Sequence, residues 1–184
     1  MFALKRAGYD QVEGLEQDAE AVAHCRANGL TVHDGDILAT DLAALGTFDL
    51  VTMTHVLEHL PKADMIKTLE VIRSLLAPGG ALYVAVPNAQ SNTDAYWAFE
   101  DFTHTFLFTS GSLYYAGRMA GFTRIDFLDI DCTDGNSLPV RWARKILLKI
   151  YRAQKSFWNA VTRSSYHNQS AQIFSYEIKA LLRP

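Results

Sequence analysis

The stretch Leu75–Asn88, LLAPGGALYVAVPN, leaves this chain few ways to fold. Upstream, Ile66, Leu69, Ile72, Leu75 and Leu76 recur at three- and four-residue steps, which predicts a helix over Ala63–Leu76 with one apolar face. Pro78-Gly79-Gly80 stops that helix and turns the backbone. Ala81–Val86 follows as a nearly unbroken apolar run, closed by Pro87. A strand without polar alternation is covered on both faces, as in the centre of a sheet flanked by helices.

The rest of the chain alternates to match. Strands are predicted at Val12–Leu15, from Leu30 through Val32, and at Phe48–Met53. Between them lie a helix over Asp18–Ala27, capped by Asp18 and stopped by Asn28-Gly29, and a short helical piece at Asp41–Leu45. Later, Thr109 or Ser110 caps a helix over Leu113–Ala120 that Gly121 releases. Strands follow at Ile125–Ile130 and Ile173–Leu181, separated by a basic helix beginning near Arg141. Helices between successive strands favour a mostly parallel sheet with helices on both sides. Without repeats or low-complexity tracts, the reading is one domain over 1–184, with insertions at 88–120 and 133–170.

Composition narrows the class. With 49% hydrophobic and 20% charged residues in a 184-residue chain, a soluble globular domain is expected. No apolar run approaches the roughly 20 residues that cross a bilayer, and Met1–Asp10 has no signal-peptide pattern, so the expected compartment is the cytoplasm. Cys25 and Cys132 form no C-x-x-C pair and read as ordinary thiols. Charge is uneven: residues 1–140 hold 8 Lys/Arg against 19 Asp/Glu, a formal −11, while 141–184 hold 9 against 1, a formal +8. An acidic body argues against broad nucleic-acid contact, and a basic tail suits an anionic surface or an acidic partner.

MTHVLEHLP, residues 53–61, can be read two ways. His55, Glu58 and His59 form H-x-x-E-H, in which two histidines four apart on a helix can share a zinc ion. Yet the motif directly follows a predicted strand, and Pro61 opens the next helix, which makes 54–60 a βα connection at the carboxyl edge of the sheet. Open α/β sheets bind ligands at that edge, so the loop reading is preferred and no metal is assigned.

Taken in order, GYDQVEGLEQDAEAV, HDGDI, FDLVTMTHVLEHLP, LLAPGGALYVAVPN and FTHTFLFTSGSLYYAGRMAGF resemble the class I S-adenosylmethionine-dependent methyltransferases. The likeness is to their ubiquinone-biosynthesis-like and sugar- or lipid-modifying branches, and runs from about residue 1 to 130 with a final strand near 175. It implies an incomplete Rossmann-like α/β sandwich, mostly parallel with a terminal antiparallel strand, and S-adenosylmethionine as cofactor. By the same resemblance, Glu16 binds the cofactor ribose, Asp36 and Ile37 hold adenine, and Thr54 and His55 lie near the methionine portion. Glu58, His59, Asn88, Trp97 and His104 fall on the acceptor side, and His55 and His104 are the candidate catalytic residues. A carboxylate can accept both ribose hydroxyl hydrogens, and a histidine can take a proton from an acceptor hydroxyl.

The resemblance also implies a first strand and glycine-rich loop that the chain does not contain, because Phe2–Gly8 resembles the end of the helix after that loop. The expectation is therefore that these 184 residues alone bind S-adenosylmethionine weakly or not at all, to be checked by calorimetric titration. The expected function is O-methylation of a small molecule, lipid-linked intermediate or glycan. The alternative is a non-catalytic interaction subunit on a truncated methyltransferase fold. RWARKILLKIYRAQKSFWNA, from Arg141, divides into a basic and an apolar side. It suits packing on the acidic body, a homo-oligomer contact, or peripheral attachment through residues 141–158 to the inner face of a membrane.

Overall fold

The computed structural model describes residues 1–91, 96, 100–165 and 170–184. The chain forms two compact units, Met1–Gly46 and Thr47–Pro184.

In the first unit, α1 (Phe2–Arg6) precedes β1 (Glu13–Glu16), α2 (Ala19–Ala27) and β2 (Thr31–Asp34). β1 and β2 are parallel, with Glu16 opposite Asp34 at their carboxyl ends. Asp18 caps α2 as its sequence predicts, its carboxylate accepting the Ala21 N–H at 2.7 Å. Val22, Leu30 and Val32 form a small core against Met1 and Cys25.

In the second unit, β3 (Phe48–Thr54), β4 (Leu76–Pro87), β5 (Arg124–Leu128) and β6 (Glu177–Arg183) make a sheet of order β3-β4-β6-β5. β3 and β4 are parallel, and β6 runs antiparallel to both β4 and β5. Three strands thus share one direction and the last strand opposes them, as the α/β reading requires. β3 is an edge strand, and its Leu50 is half exposed.

β4 fulfils the expectation drawn from its apolar run. Leu82, Val84 and Val86 on one face and Ala81 and Ala85 on the other are all buried. The strand starts earlier than predicted, because Phe48 pairs with Leu76 before the register shifts to Leu50–Ala81. The extra residues loop out at Gly79, whose φ of +83° is left-handed, and at Gly80, where a Cβ would sit 2.8 Å from the Phe48 carbonyl oxygen. α3 (Lys62–Ser74) covers the sheet through Met65, Thr68, Leu69 and Ile72, the i, i+3, i+4, i+7 stripe of an amphipathic helix.

α4 (Ser110–Met119) begins in a capping box in which Thr109 and Ser112 exchange side-chain and backbone hydrogen bonds. It packs closely on β5 and β6, since a Cβ at Gly117 would meet Ile125 and Leu182 at under 3 Å. α5 (Leu138–Thr162) realises the basic helix over 25 residues, none of them buried. The last strand begins at Glu177, not Ile173, because Asn88 takes over the preceding segment: its Nδ2 donates to the carbonyls of Ile173 and Ser175, each at 2.8 Å. Among the described residues, no helix is long and apolar enough to cross a membrane.

Candidate active site

The first unit brings two predicted cofactor residues to one edge. Glu16 ends β1, and its Oε1 accepts the backbone N–H groups of Gln17 and Asp18 at 2.8 and 2.9 Å. Oε2 takes part in neither bond, so the carboxylate is oriented with one oxygen to offer. Past β2, Gly35 donates its N–H to the Glu16 carbonyl at 2.9 Å, extending the pairing by one step. Asp36 follows, and its Oδ1 accepts the N–H groups of Leu38 and Ala39 at 2.7 and 3.1 Å. Ile37 beside it is half-buried. Both carboxylates have the turn-stabilising function expected of strand-end acids, and each keeps one oxygen outside it.

In the second unit, the segment after β3 is a bend followed by a single 3-10 turn at Leu57–His59, not an α-helix. Thr54 closes β3 and is exposed. His55 has a left-handed φ of +52°, unusual for a residue with a side chain. Its N–H donates to the Ala85 carbonyl at 2.9 Å, so the ring is held where the parallel β3–β4 pair ends. Nδ1 lies 3.1 Å from Glu58 Oε1, and Nε2 lies 2.7 Å from Glu177 Oε1. A carboxylate only accepts, so both contacts are hydrogen bonds when the ring carries two protons. This clamp fixes His55 between carboxylates and presents neither nitrogen to an acceptor molecule.

Glu58 is 0% exposed, and its Oε2 has no hydrogen-bond partner among the described residues. Its main-chain carbonyl accepts the N–H groups of Thr105 and Phe106, at 2.8 and 3.3 Å, and the Thr105 hydroxyl at 3.1 Å. Thr105 also donates to the Leu60 carbonyl. These bonds tie the loop after β3 to the segment carrying His104.

His59 and His104 stack as tilted rings with centroids 4.8 Å apart. The Thr103 hydroxyl donates to Asp101 Oδ1 at 2.6 Å, which leaves its oxygen to accept from His59 Nδ1 at 2.7 Å. That relay puts the proton of neutral His59 on Nδ1 and the lone pair on Nε2. The same Thr103 bonds, from hydroxyl and backbone N–H, hold the Asp101 carboxyl below the usual carboxylate range, with the nearby histidines adding to the effect. Asp101 Oδ2 is 3.9 Å from His104 Nε2, whose side chain is only 6% exposed.

His55, Glu58, His59 and His104 line one cavity of about 430 Å³ with Pro87, Glu100, Asp101 and Phe102. Glu58, His59 and His104 offer ligand atoms all within 4.8 Å of one another, close to the span that a divalent ion with bonds of about 2.1 Å bridges. Asn88 is not among the lining residues. It is buried, both Nδ2 hydrogens go to main-chain carbonyls, and Oδ1 accepts the Gln90 N–H at 2.9 Å, so its amide is spent on structure. Trp97 lies outside the described residues. Sequence reasoning missed Glu177, Thr103 and Thr105. Only the T-H-T in FTHTF hinted at the last two, by placing a hydroxyl on each side of His104.

In the first unit two parallel strands end at fixed carboxylates, and in the second a histidine-rich cavity lies where β3 and β4 end, the edge at which open α/β sheets bind ligands. The chain belongs to the methyltransferase domain family, which matches residues 3–126, and within it resembles the class I S-adenosylmethionine-dependent methyltransferases. It is 35% identical over 83 residues to the ubiquinone biosynthesis O-methyltransferase of Paraburkholderia xenovorans, covering 42% of this chain and 35% of that protein. It is 36% identical over 64 residues to the small RNA 2′-O-methyltransferase of Gallus gallus, covering 35% of this chain and 16% of that protein. The matched segments span well under half of these relatives. A SAM dependent methyltransferase from Archaeoglobus fulgidus shares the fold, with a TM-score of 0.67 over 100% of this chain and 80% of that one at 16% identity. The two curated relatives are O-methyltransferases by name, and these comparisons do not favour the reading as a non-catalytic interaction subunit.

Proposed function

We propose that this protein transfers a methyl group from S-adenosylmethionine to a hydroxyl of a small molecule, lipid-linked intermediate or glycan, with the acceptor entering the cavity beside His104. The observation that carries this reading is the convergence of His59, His104 and buried Glu58 on one cavity where β3 and β4 end. Taken separately, each unit offers groups chemically suited to the cofactor. Glu16 Oε2 would accept from the ribose diol, Asp36 Oδ2 from the adenine amino group, and Ile37 would cover the ring. Thr54 and the His55 loop would face the methionine portion. When bound, the sulfonium supplies an activated methyl group, so the protein has to align the acceptor and manage one proton.

His104 takes that proton from the acceptor hydroxyl. The Asp101 carboxylate, 3.9 Å from Nε2, offsets the positive charge that forms on the ring. His55, clamped by Glu58 and Glu177, positions the loop instead of acting as the base. Asn88 serves the site indirectly by fixing the 173–176 segment behind it. Transfer from methyl-labelled S-adenosylmethionine to a panel of phenols, sugars and polyprenol-linked sugars, using the natural full-length polypeptide, tests this. His104→Ala should lower the transfer rate about 100-fold, the usual worth of a general base, with cofactor affinity unchanged. An unchanged rate sinks the assignment.

A second reading is favoured by the unpartnered Glu58 Oε2 and the close Glu58, His59 and His104 ligand atoms. In it, Glu58, His59 and His104 would hold a divalent cation, which would supply Lewis acidity to ease loss of the acceptor's hydroxyl proton. Activity that vanishes with a chelator and returns with Mg²⁺, Mn²⁺ or Zn²⁺ selects this reading. Indifference to the chelator selects the base.

A further inference from the structure

α5 is mounted on the protein by its charged side. The Tyr151 ring stacks edge-on against Phe174 at 4.9 Å, Arg152 pairs with Asp131 at 3.1 Å, and Arg144 donates to the Cys132 carbonyl. Among the described residues, nothing packs on the opposite side. Trp142 is 69% exposed, Ile150 62% and Trp158 53%, and Ile146, Leu147 and Phe157 are exposed as well. At 3.6 residues per turn, the positions from Trp142 round to Trp158 span an arc of about 160°. Gln154 is the one polar residue within it. An amphipathic helix on a globular surface normally turns this stripe inward. Here it faces out.

We infer that α5 lies in the interfacial plane of an anionic lipid bilayer, with this stripe among the acyl chains. The charge pattern selects that occupant. The helix carries Arg141, Arg144, Lys145, Lys149, Arg152 and Lys155 and no acidic residue. Pairing with a second copy would bring two such cationic helices together, whereas anionic headgroups complement them. RNA would meet the cations but leave the apolar stripe in water. Trp142 and Trp158 mark the two borders of the stripe, where an indole has its ring in hydrocarbon and its N–H at headgroup level. Arg141, Lys145 and Lys149 are exposed on the charged arc, and Lys149 sits next to the Trp142 border, from which a long stem reaches back to the headgroups. At 25 residues the helix is about 37 Å long, and it lacks the apolar length to span, so it lies along the surface. The inference does not depend on the transferase reading.

Co-sedimentation of the full chain with vesicles tests it. Binding to phosphatidylcholine vesicles containing phosphatidylglycerol is expected, with a blue shift of tryptophan emission, and little binding to phosphatidylcholine alone. Replacing Trp142, Ile150 and Trp158 together with Ser should cut partitioning about tenfold or more while leaving the circular dichroism and unfolding temperature unchanged, because none of these side chains is buried. Equal sedimentation of the triple variant and the parent overturns the inference. So does a parent that ignores anionic vesicles, whether it instead forms a discrete dimer by sedimentation velocity or shifts a labelled RNA in a gel.

Discussion

Around the cavity, a carboxylate is wholly enclosed: Glu58 is 0% exposed. On α5, an indole is mostly in water: Trp142 is 69% exposed. Each residue sits where its transfer free energy is unfavourable. The first is offset only in part, since Oε2 is left without a partner among the described residues. Glu58 has His55 on one oxygen and the 105–106 backbone on its carbonyl, and the loop around it is bonded from three sides. The second has no such compensation within the described residues, since nothing packs on the stripe. A polar group buried and oriented by its neighbours marks a site that the fold itself builds. An apolar face left open on a stable helix marks one completed by something outside it.

Four substitutions put that contrast at risk, beginning with the largest effect. Leu69→Ala, in the buried stripe of α3, should cost about 2–5 kcal/mol in denaturant unfolding, the range for a leucine deleted from a packed core. Glu58→Ala should reduce methyl transfer about 100-fold by releasing His55 from one carboxylate and removing a ligand atom from the cavity. If the rate holds, the buried carboxylate is merely structural. Thr103→Val removes the hydroxyl that holds Asp101 ionised and His59 in one tautomer. NMR titration should then show the Asp101 carboxyl moving back up toward ordinary values, and the His59 ring nitrogens losing their distinct shifts. The sign follows from linkage. A carboxyl lowered in the folded state adds stability above its unfolded pKa, and that stability is lost as pH falls through the folded value. The variant should therefore be slightly less stable than the parent near neutral pH, a deficit that disappears as pH falls through the parent's folded value. Ile150→Ser on α5 should change stability by no more than about 0.5 kcal/mol, as at any exposed position. A loss like that of Leu69→Ala would mean the stripe is covered within the protein after all.

What could be read in advance follows from how local each signal is. The β4 run, the α3 stripe and the Asp18 cap are written in neighbouring residues, and the structure reproduces them. Glu16 and Asp36 could be placed because strand ends are local too. The His55–Glu177 contact could not, since it joins residues 122 apart and exists only because the antiparallel register sets Pro87 against Glu177. The partners of Asn88 were hidden for a related reason. A turn-forming asparagine at a strand end suits a ligand pocket, but here distant carbonyls at 173 and 175 claim its amide. Thr105 escaped notice because its role is to donate to main-chain carbonyls, which no sequence pattern announces.

The placement of β6 has a consequence for how the protein is made. β5 is joined to the sheet only through β6, a strand translated some fifty residues after it. Until Glu177–Arg183 has left the ribosome, β5 and α4 have no sheet partner to close upon, and the nascent second unit holds only the β3–β4 pair. Long-range pairings of this kind assemble late and slowly. A chain stopped before Glu177 would thus display unpaired strand edges to chaperones and proteases.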